Sequence, residues 1–109
     1  MPITFDEFAK LELRIATVTA CTVHPNADKL LVLQIDLGDE KRQICAGLRA
    51  FCRPEELIGR QIVVVANLEP RMMRGQISQG MLLAATDAAS GRVVVLGPYE
   101  AVAPGSKVS

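Results

Sequence analysis

A chain of 109 residues, half of them apolar, has the size of one packed domain and too much apolar matter for a disordered one. Twelve basic side chains cancel twelve acidic ones, which excludes a protein that coats polyanions indiscriminately. Uninterrupted apolar runs such as Ile62 to Ala66 are far shorter than the roughly 20 residues needed to cross a bilayer. The opening Met-Pro-Ile-Thr-Phe-Asp-Glu-Phe has no basic leader segment, so a cytoplasmic protein with no membrane partner is expected.

Thr4 stands three residues before Glu7, the spacing of a capping box, and predicts a short amphipathic helix with Phe5, Phe8 and Ala9 on a core-facing side. Leu13 to Cys21 reads as a first strand, interrupted by turn formers from Thr22 to Asp28. Leu30 to Leu37 and Arg42 to Gly47 read as the next two strands, joined by a polar hairpin loop at Gly38 to Lys41. Pro54 to Gly59, with proline first, acids next and glycine at the end, predicts one or two helical turns. Gln61 to Asn67 is the strongest strand signal and is expected to be buried on both faces. Met81 to Thr86 is a fifth strand, Asp87 to Gly91 a turn and Val93 to Leu96 a sixth strand.

This order predicts a mainly β fold, a five-stranded oligonucleotide/oligosaccharide-binding (OB) Greek-key barrel with a short helix between strands three and four. As a single domain over 1–109 it divides into an N-terminal helix (1–11), a barrel (12–86) and a C-terminal extension (87–109). A small sandwich of similar strand count is the competing architecture. Such a barrel binds ligands on strands two and three and in the loops joining strands one to two and four to five. Those loops are Thr22 to Lys29 and Leu68 to Gly80, and the second carries Arg71 and Arg74.

Catalytic and metal chemistry find little to stand on. Cys21, Cys45 and Cys52 are odd in number and lack C-x-x-C spacing, so they read as core or surface thiols and not as disulfide partners or zinc ligands. Arg53 beside Cys52 is the one feature that could lower a thiol pKa, but no base accompanies it. His24, in a His-Pro-Asn turn, reads as an exposed turn histidine. Glu12 and Asp28 lie on different elements and do not suggest an acid–base pair. With no Gly-rich phosphate loop, metal motif or triad, a protein without cofactor, metal or enzymatic activity is expected.

Charge is uneven along the chain. Residues 1–40 hold three basic side chains against seven acids, and residues 41–74 hold seven against three. Folding the middle third onto one face would give a basic patch on a neutral protein; scattering it over the surface would not.

The stretch Asn67 to Met81, Asn-Leu-Glu-Pro-Arg-Met-Met-Arg-Gly-Gln-Ile-Ser-Gln-Gly-Met, resembles the signature of the tRNA-binding domain family. This family includes the C-terminal domain of many bacterial methionyl-tRNA synthetases, stand-alone bacterial tRNA-binding proteins and the cytokine-like domain of synthetase-associated factors. Leu13 to Ala16, Ala27 to Leu30, Val32 to Gly38 and Pro54 to Gly59 also match, so the resemblance covers roughly residues 4 to 97. It implies an OB-fold module that grips tRNA without catalysis, usually as a homodimer and possible partner of an aminoacyl-tRNA synthetase. The chain looks most like the stand-alone members, since it begins at its own Met1.

Carried over by residue, Asn67, Arg71, Met73, Ser78 and Met81 match family positions on or beside the RNA surface. Met72 stands where many members have lysine, removing one phosphate contact. Arg71 and Arg74 suit bidentate phosphate binding and Lys29 adds a point charge. Asn67 and Ser78 suit 2′-hydroxyls or phosphate oxygens, or alternatively shape a turn and bond nearby backbone. Met73 and Met81 offer polarizable contact surface where methionine more commonly fills a core. No aromatic lies in either binding loop, which favours reading a folded RNA by backbone and shape over stacking single-stranded bases. The rival readings are a chaperone-like or protein-docking OB module, marked by an apolar groove in place of a basic one, and an enzyme.

Overall fold

The β-branched and leucine-rich runs of the first half form an antiparallel meander in the structure, a computed structural model that describes residues 1–109. β1 (Leu13–Val23) pairs with β2 (Leu31–Asp36) through residues 17–23, and β2 pairs with β3 (Lys41–Ala46). On its other edge β1 pairs through residues 13–17 with β4 (Gln61–Val65). A bulge between Val18 and Ala20 leaves Thr19 outside the pairing register, its hydroxyl donating to the Gln34 carbonyl at 3.2 Å. Such a bulge bends and twists a strand, which lets one long strand serve both halves of a barrel.

The capping box forms as predicted, with the Glu7 N–H donating to Thr4 Oγ1 and the Thr4 N–H donating to Glu7 Oε1. The helix it starts, α1 (Phe5–Ala9), buries none of its residues, however. Phe5 is 78% exposed, so the expectation of a core-facing residue fails there, whereas Phe8 is half-buried. α2 (Pro54–Leu57) occupies the predicted place between β3 and β4, and Gly59 beyond it takes a positive φ of 88°.

The second half departs further from expectation. The predicted loop Leu68 to Gly80 contains a hairpin, β5 (Arg71–Met73) with β6 (Gln76–Ser78). The predicted fifth strand is divided at Leu83: β7 (Met81–Leu82) pairs with β4, whereas β8 (Ala84–Thr86) forms a separate hairpin with β9 (Val93–Val95). β10 (Lys107–Val108), not foreseen, returns to pair with the start of β1. Gly105 has to be glycine there, because a Cβ would collide with the Leu37 carbonyl oxygen and its φ is +86°.

The barrel closes between β3 and the β6–β7 connection through side chains more than through a continuous ladder. The Gln43 N–H donates to Gln79 Oε1 at 3.1 Å, the Gln79 N–H to the Gln43 carbonyl at 2.8 Å, and the Cys45 N–H to Ser78 Oγ at 2.9 Å. Arg42 reaches across to the carbonyls of Ala66 and Gln79. Inside lie Val18, Leu31, Leu33, Ile35, Leu37, Ile44, Ile62 and Val64, all essentially inaccessible to solvent. β4 alternates between buried and half-buried positions at first, with Gln61 and Val63 only partly covered, and is not buried on both faces along its whole length. The mainly β, nearly closed barrel-like sheet is of the OB type.

Candidate nucleic-acid interface

Two segments far apart in sequence form the walls of one cavity of about 630 Å³: the connection from β1 to β2 and the β5–β6 hairpin. Lys29 and Asn26 line it from the first, and Arg71, Met72, Met73 and Arg74 from the second. Lys29, Arg71 and Arg74 are exposed, and none meets a carboxylate within ion-pair distance. Asp28 is the single acid in the lining, so the cavity is cationic by three charges to one.

The hairpin presents its charge on a tight turn. Met73 pairs with Gln76, leaving Arg74 (φ 54°) and Gly75 (φ 91°) as a two-residue connection with both φ values positive, the pattern of a type I′ turn. Gly75 adopts this freely, but for an L-residue with a side chain the left-handed region costs roughly 1–2 kcal/mol. Arg74 is the only non-glycine residue in that region.

His24 joins the two walls. It is 2% exposed, which corrects the expectation of an exposed turn histidine. Its Nδ1 accepts the Asn26 N–H at 2.9 Å, and its Nε2 lies 2.8 Å from the Met73 carbonyl oxygen. An Nδ1 that accepts leaves the proton on Nε2, so Nε2–H donates to Met73. Sequence reasoning missed this role because a His-Pro-Asn turn looks solvated. The local signal was the i to i+2 spacing of His24 and Asn26.

The other residues expected at the site divide. Met73 is half-buried in the cavity wall, and Met72, the departure from the family pattern, is exposed beside it. Met81 is 51% exposed on β7 but does not line the cavity. Asn67 is exposed, yet both ends of its amide are engaged: Oδ1 accepts the Glu12 N–H at 2.8 Å and Nδ2 donates to the Lys10 carbonyl at 2.6 Å. It ties the end of α1 to the barrel. Ser78 is 4% exposed, accepting from Cys45 N–H and donating to the Gly80 carbonyl at 3.0 Å. Its hydroxyl faces the closure of the barrel and not the surface, a correction to the expected contact.

The basic middle third does not assemble as one patch. Arg42 pairs with Glu40 at 2.6 Å and Arg53 with Glu56 at 3.3 Å, and Arg60 Nε donates to the Glu56 carbonyl. The Cys52 thiol is not activated by the neighbouring Arg53. Burial, followed by Glu56, pushes this thiol up, and Arg92 and Arg60 oppose that only in part. Burial pushes the Cys21 thiol up to about 11, leaving it protonated at neutral pH.

Residues 13–107 match the family model described as "Putative tRNA binding domain". A methionine–tRNA ligase from Pyrococcus abyssi is 54% identical over 108 residues, covering 99% of this chain and 15% of the ligase. The crystal structure of a MetRS-related protein from Pyrococcus horikoshii superposes with a TM-score of 0.93 at 33% identity, over 100% of this chain and 99% of that one. The chaperone CsaA of Bacillus anthracis superposes with a TM-score of 0.89 at 34% identity, over the whole of both chains. With the family model covering nearly every residue from the first strand to the last, the chain belongs to the tRNA-binding domain family.

Proposed function

We propose that this chain binds folded tRNA by seating its phosphate backbone in the cationic cavity between the first loop and the β5–β6 hairpin. The family is a binding module and not a catalyst. The observation that carries the reading is the convergence of Lys29, Arg71 and Arg74, unpaired and exposed, on one cavity of a molecule with no net charge. Arg71 and Arg74 bind phosphate oxygens in bidentate fashion and Lys29 adds a point charge. Met73 supplies apolar contact to ribose or base from the cavity wall, and the exposed Met81 does so only where the RNA extends beyond the cavity. Met72, in place of a lysine, leaves one phosphate contact fewer. Asn67 and Ser78 make no contact with RNA in this reading: Asn67 ties the end of α1 to the barrel and Ser78 holds the barrel closure. The protein acts in the cytoplasm as a homodimer, stabilising tRNA or assisting aminoacylation beside a synthetase.

The test is a salt series of tRNA binding compared with duplex RNA and an unrelated single strand. Neutralising three to five phosphates gives a log–log slope of roughly −2 to −4. Replacing Arg71 or Arg74 with alanine should lower affinity and flatten that slope by about 0.7–0.9 each, with the fold unchanged. Affinity indifferent to salt, or unchanged in both variants, would overturn the assignment.

A protein-docking reading draws on the full-length likeness to a chaperone and on a second groove of about 520 Å³, whose lining includes Phe51, Leu57, Val93, Val95 and Tyr99. Preference for unfolded peptide over tRNA in the same assay would favour it.

A further inference from the structure

The cationic cavity is made by two walls that are not in one sheet. The first loop leaves the β1–β2 pair, and the hairpin forms a separate two-stranded sheet. A cluster of phosphate-binding groups is useful only if its members hold a fixed spacing, because phosphates along a nucleic-acid strand have one. What holds these walls together is therefore part of recognition, although it touches no RNA.

We propose that His24 is the positioning residue of the tRNA site, a neutral imidazole latch whose Nε2–H bond to Met73 sets the cationic hairpin against the first loop. The proposal rests on the tRNA-binding reading above. Three observations converge on it. The ring is almost fully buried between the two walls, in a protein with a single histidine. Its two nitrogens serve different segments, Nδ1 bonding the loop at Asn26 and Nε2 bonding the hairpin at the carbonyl immediately before the turn. The loop also meets the turn itself, since a Cβ built on Gly75 would stand 4.0 Å from Asn26 Nδ2. The latch therefore acts one residue away from Arg74, whose left-handed backbone is held in place by its surroundings and not by its own preference.

The two bonds of His24 can be separated by substitution. In His24→Asn, the side-chain oxygen overlies Nδ1 and accepts the Asn26 N–H as an Asx turn does, but nothing reaches Met73. In His24→Gln, the longer amide places its N–H₂ where Nε2 was and restores the bond to Met73, losing the local one. The experiment measures both variants and the wild type in two ways: backbone amide exchange across residues 71–78 of the free protein, and tRNA affinity at fixed salt. The expected result is faster exchange in the hairpin and a loss of about three- to tenfold in affinity for His24→Asn, the size of one hydrogen bond, with both restored toward wild type in His24→Gln. A histidine that merely fills space would lower the melting temperature in both variants and leave affinity unchanged. An equally protected hairpin in His24→Asn would overturn the latch whatever the RNA does. Failure of the wild type to bind tRNA would instead remove the functional reading, and hairpin exchange would still show whether the latch exists.

Discussion

Ser78 illustrates how a small polar side chain can be chemically suited to a ligand and physically withheld from it. Its hydroxyl has one donor and two lone pairs, and the barrel uses the donor on Gly80 and a lone pair on the Cys45 N–H. Ser78→Ala removes both bonds in a buried place, where leaving a backbone donor unsatisfied costs about 1–3 kcal/mol. Urea unfolding should show that loss, whereas tRNA affinity of the folded variant should match the wild type; a large affinity defect would return Ser78 to the RNA surface. Arg71 and Arg74 were legible as candidates from sequence because both fall in the long predicted loop Leu68 to Gly80, where cationic side chains have few reasons to be buried. His24 and Ser78 were not, since each sits among turn-forming or polar neighbours and is buried only by a segment that arrives from elsewhere in the chain.

Among the elements, those carried by strong local signals were readable. The Thr4–Glu7 box starts α1, the β-branched and leucine-rich runs form β1, β2 and β4, and the polar hairpin loop after β2 marks the start of β3. The β5–β6 hairpin was hidden because its strands are three residues long and its turn uses Arg-Gly where Asn-Gly or Asp-Gly is the usual signal. β10, two residues long, exists through its docking and not through its own propensity. Arg14 is central to that docking, donating to the Gly105 and Leu37 carbonyls and to Asp39 Oδ1 at 2.8 Å. The hydrogen bond from Arg14, reinforced by the charges of Arg14 and Arg42, holds the Asp39 carboxyl below the ordinary aspartate range. A carboxyl whose pKa is lower folded than unfolded stabilises the fold above its unfolded value, about 3.9, and loses that contribution as pH falls through the folded one. Thermal melts of Asp39→Asn should therefore show lower stability than wild type at neutral pH and a shallower decline below about pH 4. Parallel acid limbs would mean that Asp39 does not couple the β2–β3 turn to the C-terminal strand.

At the scale of the whole molecule, an apolar surface remains that one subunit does not explain. α1 is capped at its start and tied at its end by Asn67, so its position is specified, yet it covers no core. Ile3, Phe5 and Leu11 stay exposed on and around it, and Tyr99 and Val94 are exposed in the C-terminal part. A fixed helix that leaves a phenylalanine in water forgoes roughly 2 kcal/mol of transfer free energy, and a second copy covering that face would recover it in each subunit. Phe5→Glu should accordingly yield a monomer by light scattering while circular dichroism still reports the barrel, because Phe5 contributes nothing to the core it leaves. If both cavities of a dimer engage a single tRNA, the monomer should also bind more weakly than the loss of one residue can account for, since the second contact is no longer intramolecular. A wild-type mass of one subunit at micromolar concentration would refute the dimer, and a monomeric variant with undiminished affinity would show that each cavity works alone.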